Sequence, residues 1–164
     1  MTSAPPGVVR PATPDDAAGI GACHLACWRE TYGGLLSPEF FAARDEARFT
    51  ANWGRALAEP GDQTVVVAER DGVVVGFARS LPTRDDPPAR PLELETIYLR
   101  AAEHGTGLGQ ALLDAAVGGA PASLWVAEAN PRAIAFYRRN GFSPDGAREV
   151  LTAWEGLVEI RLVR

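Results

Sequence analysis

Lysine is absent from this sequence: of its 164 residues, 16 are Lys or Arg, and every one of these is arginine. A phosphate-binding P-loop needs its lysine, and Schiff-base or pyridoxal phosphate enzymes need a lysine amine, so both chemistries are excluded. Positive charge is in deficit as well. The 21 acidic residues leave a net charge of −5, with no arginine stripe or basic tail. Nucleic acid is therefore not the expected partner, because affinity for it begins with phosphate neutralisation. No apolar run reaches the length of a membrane span, and residues 1–7 have neither a basic n-region nor an apolar h-region. No membrane association is expected, and residues 1–7 read as a loose tail.

Cysteine is scarce too. Cys23 and Cys27 stand four apart on a stretch that reads as helix, a poor geometry for a disulfide, and a reducing cytoplasm is the expected location. Together with His24 and His104 they raise the question of zinc. The Cys-x-x-x-Cys spacing lacks a second ligand pair, however, so packing of small thiols in the core is expected, and no metal.

What is present is the composition of a globular domain, 46% hydrophobic and 23% charged, and the length suits one domain spanning residues 1–164. Val8 to Arg10 reads as a short strand. Thr13-Pro14-Asp15-Asp16 supplies a hydroxyl N-cap, a proline at the first helical position and acids in the first turn, predicting a helix over about 14–30. Helical pieces follow at Ser37-Pro38 with Phe40 and Phe41, and around Phe49, Trp53 and Leu57. Thr64 to Glu69 and Val73 to Arg79 flank an Asp71-Gly72 turn and predict a hairpin. Four prolines make 82–91 a loop. Leu92 to Leu99 is the next strand, with Glu93, Glu95, Ile97 and Leu99 expected on one face and Leu92, Leu94, Thr96 and Tyr98 on the other. A helix over 107–117, a strand over 123–127, a helix opened by Asn130-Pro131 and ended by Asn140-Gly141, and a closing strand through Val158, Ile160 and Leu162 complete the chain. This order predicts an α+β domain with a mixed central sheet.

Two segments carry chemistry. In His104-Gly105-Thr106-Gly107-Leu108-Gly109-Gln110, a glycine turn opens a helix that has no Ser, Asp or Asn placed as its N-cap, so its first amides lack a partner. An anion such as a pyrophosphate satisfies those N–H groups and gains from the helix dipole without any lysine. A turn built only for close packing is the competing reading. The dinucleotide fingerprint Gly-x-Gly-x-x-Gly fails, because its last position is Gln110 counted from Gly105 and Leu112 counted from Gly107. The second segment runs from Asn130 to Phe142.

Together these segments resemble the GNAT superfamily of acyl-CoA-dependent N-acyltransferases. The family's loop pattern Gln/Arg-x-x-Gly-x-Gly/Ala is met by His104, Gly107 and Gly109, with histidine in place of the usual glutamine or arginine. Its later Asn-x-x-Ala-x-x-Phe-Tyr followed by Gly-Phe is met by Asn130, Ala133, Phe136, Tyr137, Gly141 and Phe142. The resemblance implies a mixed, mostly antiparallel sheet flanked by helices, with acetyl-CoA as co-substrate in a cleft where two strands splay. Backbone groups of Ile97, Tyr98 and Leu99 would hold the pantetheine arm, and the Leu99 amide would polarise the thioester carbonyl. Gly105 to Gln110 would hold the pyrophosphate. Asn130 would bind the pantetheine region as well as capping its helix, and Tyr137 would protonate the departing thiolate.

The amine must lose a proton to attack, and Glu93 and Glu95 are the candidate bases; Glu93 is preferred because the resemblance places several members' glutamate six residues before the position of Leu99, although other members deprotonate the amine through water. The stripe His24, Trp28, Tyr32 and the loop over 82–91 are candidates for the acceptor side, with aromatic core packing as the alternative for the stripe. The expected activity is direct acetyl transfer to a primary amine of a small molecule or peptide. An acyl-CoA-sensing module without turnover and a nucleotide-binding regulatory domain are the competing readings. A homodimer through the C-terminal strand or an exposed sheet edge is compatible with the resemblance.

Overall fold

Thr13 begins the first helical segment as its capping residues predict. Its backbone N–H donates to Asp16 Oδ2 at 2.7 Å, but the first turn, Pro14–Asp16, is a tight 3-10 turn, and the α-helix proper, α1, is Ala17–Tyr32. The structure is a computed structural model that describes residues 7–164. The tail expected over 1–7 lies outside the described residues except for Gly7. The other helices are α2 (Pro38–Ala42), α3 (Glu46–Ala58), α4 (Leu108–Val117) and α5 (Pro131–Arg139). The strands are β1 (Val8–Pro11), β2 (Thr64–Arg70), β3 (Val73–Pro82), β4 (Leu92–Leu99), β5 (Ala122–Ala127), β6 (Ser143–Leu151) and β7 (Leu157–Val163).

They form one seven-stranded sheet in the order β1-β2-β3-β4-β5-β7-β6, antiparallel except for β4 and β5. That single parallel pair is what shapes the molecule. β4 and β5 match only at Leu92 with Ala122 and Glu93 with Ser123, and then diverge. Apolar side chains cover both faces of the sheet. One face carries α4 and α5 over Leu94, Leu112, Leu113, Leu124, Phe142 and Leu162. The other carries α1 and α3 over Ile20, Cys23, Cys27, Trp53, Val67 and Phe77, continuing into Tyr32, Leu36, Phe40 and Leu157. The two thiols therefore belong to the core, with their sulfurs 3.8 Å apart. Among the described residues no helix is long and apolar enough to cross a membrane, and no three metal-ligating side chains come together.

The strand β6 has no counterpart in the sequence reading. It is an edge strand, mostly exposed, and its ladder with β7 is irregular between Pro144 and Arg148, where Gly146 adopts φ +95°. A proline and an irregular register blunt a free edge, and they also remove the alternation by which strands are read.

Within the α1 face, His24 sits among Trp28, Phe49, Trp53, Phe77 and Tyr98, and its Nδ1 accepts a hydrogen bond from Trp53 Nε1 at 3.0 Å. Burial disfavours the imidazolium and pushes its pKa down to about 3. A group with a depressed folded-state pKa stabilises fully above its unfolded value and loses that contribution as pH falls toward the folded value. Stability is therefore expected to fall between pH 6.5 and about 3, by up to about 1.4 kcal/mol per pH unit for the one proton. Thermal melts from pH 7 to pH 4 should show this slope, and His24→Gln should flatten it. Asp16, held at about 2 by hydrogen bonds from Arg10, adds its own loss only below its ordinary value near 3.8, so its loss begins near the acid end of the His24 window.

Candidate active site

The divergence of β4 from β5 opens a cavity of about 420 Å³ that passes between the strands and joins the two faces of the sheet. Its wall on the α4 and α5 side is made by Ile97, Leu99, His104, Gly105, Gly107, Gly109, Gln110, Asn130 and Tyr137. These are cofactor candidates predicted from sequence, now brought together from three parts of the chain. Beyond Glu93 the edge of β4 that faces β5 has no ladder partner, which leaves backbone groups directed into the gap.

At one end of the cavity, α4 begins without a side-chain cap. Its N-cap is Gly107 at φ +91°, preceded by Gly105 at φ +82°. Both glycines are explained by this left-handed backbone rather than by crowding, since a Cβ at either would meet nothing within 4 Å. The Leu108 amide reaches the Thr106 hydroxyl only at 3.5 Å, and Thr106 otherwise turns back to donate to the Glu103 carbonyl at 2.7 Å. The first turn of α4 is thus available to an anion. His104, in the place where the family carries glutamine or arginine, donates from Nε2 to the Leu99 carbonyl oxygen at 3.0 Å. Thr106 and Leu108 stand outside the cavity wall, Leu108 with its side chain in the core. Asn130 combines its two expected positions, accepting from the Ala133 amide at 3.1 Å while facing the cavity.

Tyr137 packs between Phe136 and Phe142. Burial, with Tyr32 nearby, raises its pKa, so the hydroxyl keeps its proton, and no hydrogen bond from another described residue engages it. It lines the cavity as a proton donor without a partner.

The acidic residues of β4 do not stand as the alternation predicted. Arg79 pairs with Thr96 but Ser80 pairs with Leu94, so Glu95 is an extra residue, a bulge in β4. The one-residue slip puts Leu92, Leu94, Ile97 and Leu99 together on the α4 face and turns Glu93, Thr96 and Tyr98 toward the other. Glu93 is not part of the cavity wall. Its carboxylate lies by the loop that precedes β4, 3.4 Å from both the Thr83 hydroxyl and the Arg84 amide, with its pKa raised chiefly by burial. Glu95 does reach the wall but is gripped by Arg79 at 3.1 Å and Arg84 at 2.6 Å. Of the acceptor-side stripe, Tyr32 lines the cavity and its hydroxyl meets that of Tyr98 at 3.0 Å. Trp28 is outside the wall, packed against Trp154 with ring centroids 4.4 Å apart, which accords with aromatic packing rather than acceptor contact.

Sequence reasoning missed Thr96, Trp125 and Glu159, all in the wall. Trp125 and Glu159 sit on strands whose other face is core, and alternation alone reads such positions as solvent-facing.

Comparison with known proteins accords with this geometry. Residues 28–142 match the acetyltransferase (GNAT) family. The uncharacterized N-acetyltransferase YuaI of Bacillus subtilis is 30% identical over 148 residues, covering 86% of this chain and 82% of that protein. In fold, the chain is similar to the PaiA N-acetyltransferase of Thermoplasma acidophilum crystallised with coenzyme A, with a TM-score of 0.73, 18% identity, and coverage of 100% and 99% of the two chains. It is also similar to YncA, a putative acetyltransferase of Salmonella typhimurium solved with acetyl-CoA, at TM-score 0.70, 19% identity, and coverage of 98% and 94%. With the family's motifs assembled around one cleft and the match spanning most of the sequence, the chain belongs to the GNAT family of acetyltransferases.

Proposed function

We propose that this protein transfers an acetyl group from acetyl-CoA directly to a primary amine of a small molecule or peptide. The observation that carries this reading is the cleft between β4 and β5, with an uncapped helix N-terminus at one end and the unbonded Tyr137 hydroxyl inside it. Acetyl-CoA supplies the thioester. The amides at the start of α4 and in the turn from Gly105 to Gly107 hold its phosphates, and Arg132 and Arg139, on the same wall, offer guanidinium groups to a further phosphate. The free edge of β4 from Ile97 to Leu99 takes the amide groups of the pantetheine arm, and the Leu99 amide donates to the thioester oxygen as negative charge builds there. One preorganised donor of this kind contributes about 10²–10³ in rate. Tyr137 gives its proton to the sulfur as the carbon–sulfur bond breaks.

Direct transfer is favoured over a covalent acyl-enzyme. Cys23 and Cys27 are free and buried in the core, outside the cavity wall, and the Cys27 thiol is pushed up by its hydrogen bond with Cys23 and by burial, the opposite of an activated nucleophile.

Thermal unfolding with acetyl-CoA, CoA and ATP tests the reading. At about 100 times its Kd, a ligand adds about 2.7 kcal/mol, which for a chain of this size is a rise of roughly 5–11 °C. Acetyl-CoA and CoA should produce it and ATP should not, and thiol release should follow when an amine is added. No shift with either CoA species removes the proposal, and a shift without thiol release across a broad amine panel leaves a sensing module in its place.

A further inference from the structure

The carboxylates singled out on β4 leave the proton of the incoming amine without a receiver, since Glu93 is outside the cavity and Glu95 is ion-paired twice. A third carboxylate is inside it. On β7, Leu157 packs with Tyr32 while Ile160 and Leu162 pack on the α4 face, so alternation turns Glu159 toward α1, on the side of the sheet opposite Tyr137 and its helix. Glu159 lines the cavity there with Thr31, Tyr32 and Tyr98. Among the described residues it has no hydrogen bond and no ion pair.

Among the described residues no cation pairs with it. Across the ladder β6 presents Glu149 directly opposite Glu159, a like-charge pair that costs stability in a sheet. From β4 come Glu93 and the Tyr98 hydroxyl, from α1 the Tyr32 hydroxyl, and from β5 the neighbour is Ala127. The nearest cation on its own strand, Arg161, is held by Asp85 at 3.0 Å and Asp145 at 2.7 Å. A second polar group in the same wall also lacks a partner, the buried Thr96 hydroxyl. Two polar groups without partners, facing one cavity from β4 and β7, describe a place where a ligand donor is missing.

We infer that Glu159 is the catalytic base of this site, taking the proton of the acceptor's ammonium group. We further infer that the acceptor is a cationic amine with no carboxylate beside its reacting nitrogen. The inference rests on the acetyltransferase reading and adds the acceptor side to it. An ammonium enters from the α1 side, gives one proton to Glu159 and attacks the thioester carbon with the lone pair released. The nitrogen–carbon bond forms, the carbon–sulfur bond breaks, and the thiolate takes the Tyr137 proton. The second proton lost from nitrogen restores the tyrosine, and Glu159 passes the first to solvent. The glutamates at 93 and 149 repel an acceptor carboxylate and draw in a diamine.

Burial and then the charges of Glu149 and Glu93 raise the Glu159 pKa, which makes the carboxylate a stronger base. A carboxyl group whose folded pKa is raised stabilises below its unfolded pKa and loses that contribution as pH rises through the folded value. Glu159→Gln is therefore expected to melt higher than the wild type at pH 7.5, with the difference gone at pH 4, and to bind acetyl-CoA as the wild type does. With 1,4-diaminobutane as acceptor, its kcat/KM should fall by about 10²–10⁴, and the rise of the wild-type rate with pH through the Glu159 titration should vanish. Glycine should be a far poorer acceptor than the diamine for the wild type. Glu95→Gln should keep the limb. If the wild type shows no shift with acetyl-CoA, the acetyltransferase reading itself fails. If the wild type acetylates the diamine and Glu159→Gln does so with the same pH profile, or melts no higher at pH 7.5, the role of Glu159 is overturned and the reading stands.

Discussion

Tyr137→Phe is expected to lower kcat by about 10²–10⁴ while leaving acetyl-CoA affinity nearly unchanged. The reason lies in how the ring is held. Its position is fixed by packing against Phe136 and Phe142, with centroids 5.4 and 6.0 Å away, and phenylalanine preserves those contacts and the shape of the wall. What the substitution removes is one hydroxyl that makes no hydrogen bond within the described protein, so no donor or acceptor is orphaned by the change. Folding stability should be equal to or slightly above that of the wild type. The phenol's raised pKa keeps it protonated across the working range, so the wild-type rate should not fall through its titration below the ordinary tyrosine value of about 10. Calorimetric titration of acetyl-CoA beside steady-state thiol release separates binding from turnover. Equal kcat in the two proteins would refute the assignment of Tyr137 as the acid.

The glycine turn and the helix starts that line this cleft were legible in the sequence because they are written locally. Gly105 and Gly107 are demanded by left-handed backbone, Asn130 and Pro131 by a helix start, and all of these signals lie within a few residues of the groups they position. The opposite side of the cleft was legible only in part, since Tyr32 and Glu95 reach the wall while Trp28 and Glu93 do not. The bulge at Glu95 is set by pairing with β3, and one slipped residue reverses which face each neighbour takes, so Glu93 and Glu95 were assigned to a face they do not share with Ile97. Glu159 is a glutamate between apolar residues in a terminal strand, a pattern that reads as one buried and one wet face. Its partial burial comes from β4, β6 and α1, which are distant in sequence. Local backbone conformation was legible, and non-local register was what the sequence concealed.

The same division between local and distant determines what a core substitution does. Leu112 is fully buried in α4, one turn beyond the helix start, and its Cδ1 lies 3.1 Å from where a Cβ on Gly76 of β3 would stand. The leucine fills the space that this glycine leaves, joining α4 to the sheet beside Leu99. Leu112→Ala deletes that contact and opens a cavity, a change that typically costs about 2–5 kcal/mol and here should lower Tm by roughly 4–20 °C. The proposed phosphate site would use the uncapped amides at the start of α4, whereas Leu112 faces the sheet, so the two surfaces of the helix are expected to act separately. Acetyl-CoA at about 100 times its Kd should therefore raise the Tm of the variant by the same free energy as in the wild type, about 2.7 kcal/mol, recovering half or more of a typical loss. A Tm unchanged by the substitution would show that α4 is not anchored through Leu112. A loss of Tm with no recovery by acetyl-CoA would show instead that the helix start moves when its sheet contact is removed, and that binding depends on the core beneath it.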